Sequence, residues 1–436
     1  MNVFLDTIGC RLNQSEIETY ARQFTAAGHV LVSSPSDADL VVINTCSVTA
    51  AAASDSRQKI RQAKKAGVEQ IVVTGCMSTL APEEAAKMPG VTAVIPNKTK
   101  DTLVPDLLQI EINEFDLEPI ARQPVPGSRM RTRAFIKVQD GCDNRCTFCV
   151  TTLARGDGRS RSIEQVTADV LAAARSGVQE AVLTGVHLGS WGYDFSTPAH
   201  LADLVRHLLK QTEIPRLRIS SLEPWDLTAE FFSLWENSRL CRHLHLPLQS
   251  GSASVLRRMA RKTTPEAYQE LVTAARAHIP GVAITTDLIV GFPGETEQEF
   301  EENVDFVKEL DFAGLHVFTY SPRPGTAAEK MPHQVHNFTR KERSAQLRKI
   351  GDQAAQSFWR SYLEKEVEVL WESMRPSGNP GEWQLSGLTD NYLKVHTTAS
   401  QPIWNQVTPT KLISIENHSL RGEILQYPDT ISISGS

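Results

Sequence analysis

Short apolar runs alternate with helix-like stretches along most of this chain, and the first three of them lead straight into cysteines. Val3–Asp6, Asp39–Asn44 and Gln70–Gly75 are followed by Cys10, Cys46 and Cys76. Strands separated by helical segments predict a parallel, doubly wound sheet. The carboxyl ends of such strands share one edge, where ligands bind, so three cysteines one βα unit apart are expected to meet. A single cysteine is often just a small buried hydrophobe. Three at equivalent strand ends point instead to a dispersed metal site, and Gly9 and Gly75 beside two of them allow close backbone approach.

From Arg129 to about Trp359 the alternation resumes with Ala134–Gln139, Glu180–Gly185, Leu217–Ser221, His243–Leu248, Ile284–Gly291 and Leu315–Tyr320. Six such repeats predict a partial βα barrel with its active site at the carboxyl ends of the strands. The first run leads into Cys142, Cys146 and Cys149, a C-x3-C-x2-C loop. Three thiolates can hold three irons of a [4Fe-4S] cube and leave the fourth open to a substrate or cofactor. A structural zinc site normally closes with four ligands, and no fourth Cys or His stands at finger-like spacing. A ferredoxin-type carrier would also use a fourth cysteine.

A Pro- and acid-containing stretch, Glu111–Ser128, reads as a linker. Beyond Gln353 a helical stretch leads into short strand-like runs at Glu366–Glu372, Gln384–Leu388, Asn391–His396 and Lys411–Asn417, a small all-β module. The expected fold class is therefore α/β with three domains: a doubly wound sheet over 1–115, a partial (βα)6 barrel over 128–359 and a small β barrel over 366–427.

The chain has 436 residues and a formal net charge of −6, which argues against nucleic-acid binding by global charge. Between Arg129 and Arg161, however, eight basic residues face three acidic ones around the cysteine loop. Such a run is either a solvated face or an anion-binding surface. No stretch approaches the roughly 18 apolar residues of a membrane span, and the start lacks a signal peptide, so a cytoplasmic protein without membrane contact is expected. Seven cysteines, an odd number, suit metal or catalytic roles in a reducing compartment.

The loop after the first barrel strand resembles that of the radical S-adenosylmethionine superfamily. The likeness extends through Thr7–Glu16, Lys137–Val150, Leu183–Gly192, His243–Ser252 and Asp287–Thr296, which with Cys46 and Cys76 resemble the methylthiotransferase family. The nearest subgroup acts on N6-threonylcarbamoyladenosine next to the tRNA anticodon. Others act on isopentenyladenosine in tRNA or on a ribosomal-protein aspartate, and a non-catalytic iron–sulfur RNA-binding protein is a separate alternative. The resemblance implies two [4Fe-4S] clusters, one on Cys142, Cys146 and Cys149 that binds S-adenosylmethionine, and an auxiliary one on Cys10, Cys46 and Cys76 that handles sulfur. It further implies a C-terminal TRAM domain, the tRNA anticodon loop as partner, a sulfur donor, and a flavodoxin- or ferredoxin-like electron donor.

Cofactor contacts are expected from Phe148 against the adenine, from Gly185 and Val186 near the methionine end, and from Ser221, Glu223, Gln249, Gly291 and Pro293. Phe148 could equally be a core aromatic, and Ser221 and Glu223 could cap or turn the chain. His187, His243 and His245 read as packed or hydrogen-bonded, and Cys241 as a structural thiol. Arg155, Arg159 and Arg161 are expected to grip phosphates through their bidentate forks.

Overall fold

The computed structural model describes residues 1–117, 119 and 132–427. Much of the expected linker, and Arg129 and Arg131 of the basic run, lie outside the described residues.

The first unit is a parallel sheet of β1 (Asn2–Thr7), β2 (Val30–Leu31), β3 (Leu40–Thr45), β4 (Gln70–Gly75) and β5 (Val91–Pro96), in the order β2-β1-β3-β4-β5. Side chains alternate between its faces. Val3, Leu5, Leu40 and Val42 pack under α1 (Arg11–Ala26) against Ile17, Tyr20 and Phe24. Val41, Ile43, Ile71 and Val73 pack under α2 (Ala50–Lys65) against Ile60 and Ala63. The edge strands β2 and β5 escaped the sequence expectation because one has only two residues and the other is half-buried.

The second unit contains β6 (Arg133–Lys137), β7 (Gln139–Asp140), β8 (Arg159–Ser160), β9 (Glu180–Thr184), β10 (Arg216–Ile219), β11 (His243–His245), β12 (Ala283–Val290) and β13 (Gly314–Thr319). Six of these are parallel, in the runs β10-β9-β6 and β11-β12-β13. Bridges Leu217 to Leu240 and Ser221 to His245 join the two runs. Among the described residues β6 and β13 do not pair, so the barrel is open on one side. Its core sets Ile136, Leu183, Ile219, Leu244, Ile284 and Leu288 against a ring of helices. Ser162 with Gln165 and Thr296 with Glu299 form capping boxes that start two of those helices.

The third unit is a closed barrel of β14 (Glu366–Pro376), β15 (Trp383–Thr389), β16 (Lys394–Ala399), β17 (Val407–Glu416) and β18 (Ser419–Ile424). Val369, Trp371, Leu385, Val395 and Leu412 fill it. The small barrel docks on the amino ends of the large barrel's strands. Arg216 and Arg218, on β10, donate to the carbonyls of Leu388, Glu368 and Asp390, and Arg242 forks onto Asp390 at 2.6 and 3.1 Å. That end is therefore covered, while the carboxyl ends carry the cysteine loop.

Candidate iron–sulfur active site

Gly141 turns the chain into the loop with φ +72°, and a Cβ there would lie 1.9 Å from the Asp157 carbonyl oxygen. The loop is pinned on both sides. Cys142 N–H donates to Gly156 O at 3.0 Å, Thr147 N–H to Met259 O at 3.1 Å and the Thr147 hydroxyl to Arg258 O at 2.8 Å. All three cysteines are half-buried. Burial pushes the Cys146 and Cys149 thiols up, but Arg261 Nη1 at 3.8 Å from Cys146 Sγ and Thr151 N–H at 3.4 Å from Cys149 Sγ favour the thiolate.

Cys10 precedes α1, Cys46 follows β3, and Cys76 opens α3 (Cys76–Leu80) directly after β4. Because β1, β3 and β4 are neighbours, the three cysteines lie at one edge of the sheet, where Cys46 and Cys10 act electrostatically on Cys76. Gly9, at φ +103°, passes so close to Cys46 that a Cβ would fall 2.9 Å from its sulfur. Burial pushes the Cys76 thiol up to about 11; Arg155 opposes the rise, and Cys46 and Cys10 add to it. Metal ligation displaces such protons. Among the described residues no three Cys, His, Asp or Glu side chains are gathered tightly enough for one metal ion. A four-iron cube spreads its thiolates further apart than a tetrahedral ion does, and each trio offers sulfur donors on a backbone held by its own hydrogen bonds, a donor set that fits such a cluster.

One short helix, Thr151–Arg155, couples the two trios. It begins two residues after Cys149, and Asn97 Nδ2, from the first unit, donates to its Ala154 carbonyl at 2.8 Å. Arg155 at its end donates through Nη1 to Glu16 (2.9 Å) and Asp140 (2.8 Å) and through Nη2 to Asn13 (2.6 Å). Lys100 Nζ lies 2.5 Å from the same two carboxylates. Burial opposes ionisation of Glu16, but Arg155 and Lys100 outweigh it and hold its carboxyl down at about 2. The expectation that Arg155 grips phosphate thus gives way to a different placement: its side chain is 2 % exposed and ties the two units together. Arg161 also points inward, to Asp169 Oδ2 and the Lys137 carbonyl, both at 2.9 Å. Arg159 stays exposed on β8. A run of arginines reads alike in sequence whether its members face solvent or not, because burial depends on what packs against them.

Gln139 is a residue that motif reading passed over. Its Oε1 accepts the N–H groups of Val186 (3.0 Å) and His187 (2.9 Å), and its Nε2 donates to the carbonyls of Asp140 (2.9 Å) and Gly141 (2.8 Å). It thereby locks the turn after β9 to the root of the cysteine loop, and Gly185 packs against its side chain. A lone amide closing an apolar run just before the loop was the available signal. His187 bonds Asp226 Oδ2 at 2.6 Å, and Asp226 and Cys142 overcome burial to raise its imidazole to about 10.

The other expected contacts surround the same mouth. Phe148 meets Phe292 edge-on at 6.4 Å, and Pro293 is buried beside it. Gly291 N–H donates to Glu295 Oε1 at 2.9 Å. Gln249 adopts φ +78° and bonds Asp287 O through its N–H at 2.8 Å. Ser221 pairs with His245, and Glu223 binds Arg261 Nη2 at 2.7 Å. His243 and His245 both bond Thr285 Oγ1, at 3.2 and 2.9 Å, and Cys241 is buried beside Glu180. On the small barrel, a groove of about 920 Å³ gathers Arg375, Lys394, His396, Trp404 and Arg421 with Glu372 and Glu416. Among the described residues no helix is long and apolar enough to cross a membrane.

Residues 136–307 match the Radical SAM superfamily, and residues 2–96 match Uncharacterized protein family UPF0004. The chain is 36 % identical over 423 residues to Threonylcarbamoyladenosine tRNA methylthiotransferase MtaB of Bacillus subtilis (strain 168), covering 94 % of this chain and 93 % of the relative. It is 31 % identical over 444 residues to tRNA-2-methylthio-N(6)-dimethylallyladenosine synthase of Ehrlichia canis (strain Jake), covering 97 % and 99 %. Among solved structures, the radical S-adenosylmethionine methyltransferase TsrM from Kitasatospora setae shares the fold, with a TM-score of 0.56 at 16 % identity over 75 % of this chain and 77 % of that one. With near full-length relatives at this identity and cysteine trios at both expected edges, the chain belongs to the radical S-adenosylmethionine methylthiotransferase family.

Proposed function

We propose that this protein is a tRNA-modifying enzyme that places a methylthio group on C2 of N6-threonylcarbamoyladenosine beside the anticodon. The observation that carries the reading is the pair of cysteine trios linked through one short helix, whose buried Arg155 bonds Glu16 and Asn13 of the first unit beside Cys10, so that a radical-generating site would stand next to a sulfur-bearing one. Names of relatives support the substrate: the Bacillus subtilis protein is named for threonylcarbamoyladenosine. The Ehrlichia canis protein is named for dimethylallyladenosine, which makes that base the second reading.

Cys142, Cys146 and Cys149 would hold one [4Fe-4S] cluster with S-adenosylmethionine, and Cys10, Cys46 and Cys76 a second. Bound there, these groups supply the radical that takes hydrogen from the base and the sulfur and methyl that replace it. The chain's own residues position and exclude. Gln139 holds the Val186–His187 turn against the loop, Phe148 presents a face to an adenine, and Ser221, Glu223, Gln249, Gly291 and Pro293 wall the mouth against water. Exposed Arg159 and the Arg375 and Lys394 side chains in the groove of the small barrel suit phosphates, and an anticodon-loop base can be splayed inward without breaking a duplex. A sulfur donor and a flavodoxin- or ferredoxin-like electron donor complete the scheme.

The test is anaerobic reconstitution with iron counting, followed by nucleoside mass analysis of tRNA incubated with S-adenosylmethionine and reductant. About eight irons per chain and a methylthio gain on threonylcarbamoyladenosine are expected from two four-iron cubes. About four irons, or gain only on dimethylallyladenosine, would contradict the cluster or the substrate assignment respectively.

A further inference from the structure

Arg11 follows the cluster cysteine Cys10 in sequence, yet its guanidinium turns away from the sulfur and into the open side of the large barrel. Its Nη2 donates to the Tyr392 hydroxyl at 2.6 Å. Tyr392 comes from the turn between β15 and β16 and stacks on the imidazole of His243, centroids 4.6 Å apart and planes 18° apart. Arg11 also lies within electrostatic reach of Arg133 on β6 and of His316 on β13, the two strands that fail to pair. It therefore lies on the side of the barrel where the wall is open.

The lumen it enters is polar. His245 on β11 bonds Thr285 Oγ1 at 2.9 Å and lies 3.3 Å from Asp287 Oδ1, and its ring meets His316 edge-on at 5.6 Å. On β13, Leu315 packs outward on the helix Asn337–Arg360, so by alternation His316 and Phe318 face inward, and both are exposed. The acids near Arg11 are already engaged: Glu180 by Arg218 at 2.6 Å, Glu372 by Arg133, and Asp287 by His245. Among the described residues Arg11 has no carboxylate partner and keeps only a phenol. A half-buried guanidinium with one neutral partner is a waiting site for an anion with a planar, two-oxygen head.

We propose that Arg11 receives the carboxylate of the substrate's N6-threonylcarbamoyl group, an inference that rests on the substrate reading above. A dimethylallyl group carries only methyls at the corresponding place, so the contact discriminates between the two bases. Sequence adjacency gives the geometry its logic. Cys10 serves the sulfur destined for C2 and Arg11, one residue on, serves the charged arm attached at N6 of the same ring. Tyr392 fixes the guanidinium from below, which makes the small barrel part of the substrate pocket as well as an RNA module.

The test uses reconstituted full-length enzyme and two probes, free N6-threonylcarbamoyladenosine and its methyl ester. Wild-type enzyme should bind the acid about 10- to 100-fold more tightly than the ester, the range expected for losing a charge-assisted hydrogen-bonded pair. Arg11→Met should erase that preference while iron per chain and affinity for unmodified tRNA stay unchanged, and Arg11→Lys should restore part of it. Tyr392→Phe should weaken acid binding less than Arg11→Met does. Equal wild-type affinity for acid and ester, with methylthiolation of threonylcarbamoyladenosine intact, would overturn the Arg11 assignment alone. Turnover of dimethylallyl tRNA only would overturn the substrate reading and the assignment together.

Discussion

In the proposed function the two cysteine trios would each hold a cluster, by opposite means. Cys142, Cys146 and Cys149 lie on one continuous loop, half-buried, with ligand spacing written into eight consecutive residues. Cys10, Cys46 and Cys76 come from three strand ends 66 residues apart at the extremes, and two of them are buried. The first trio needs a local turn and a strand to hang from. The second exists only when a sheet has formed. The difference predicts that the second site is the more easily lost.

Replacing a ligand breaks the comparison most completely. Cys142→Ala should abolish turnover and S-adenosylmethionine cleavage and lower iron content by about four atoms per chain, while the auxiliary cluster's spectrum persists. Full turnover in that variant would sink the enzyme reading. The coupling helix comes next. Arg155→Met leaves Glu16 and Asp140 with one cation between them, and removing one partner of a buried pair costs about 3–5 kcal/mol. We expect lower thermal stability and loss of the auxiliary cluster first, with the loop cluster still cleaving S-adenosylmethionine without product. Equal loss of both clusters would show that the two sites are not separable in this way.

Acid acts on the same seam. Burial disfavours the charged form of Glu16, but Arg155 and Lys100 prevail, so its folded pKa lies at about 2 against an ordinary 4.5. A depressed carboxyl contributes stability above its unfolded pKa that is lost as pH falls through the folded one. Denaturation of the cluster-free protein should therefore steepen between pH 4.5 and 2, and Glu16→Gln should flatten it.

Gln139→Ala should cost about 1–3 kcal/mol by leaving the Val186 and His187 N–H groups without their acceptor. The loss should appear as a raised KM for S-adenosylmethionine more than as unfolding. Smallest of all, Arg159→Ala should weaken tRNA binding uniformly across sequences and reduce the salt slope by about one. An unchanged slope would remove Arg159 from the RNA surface.

Much of this architecture was legible beforehand. Val41, Val42 and Ile43 read as a doubly buried strand because a central parallel strand is apolar on both faces, and Ala181–Leu183 of β9 followed the same rule. The short edge strand Val30–Leu31 was not, since two residues carry no period. Within the site, the cysteines announced themselves through spacing. Arg155 did not announce its burial, Gln139 carried no motif, and Arg11 looked like part of the stretch around Cys10 and nothing more.

The chain by itself determined the alternation of strands and helices, the cysteine loop and the locally capped helices, because each is set by neighbours a few residues away. Tertiary structure alone decided which charges are desolvated and what faces them. Glu16, Lys100, Asp140 and Arg155 become one network, and Arg11 meets Tyr392 across 381 positions of sequence. The worth of a charge depends on the dielectric and the partners around it, and those are assembled only when the three units close on one another.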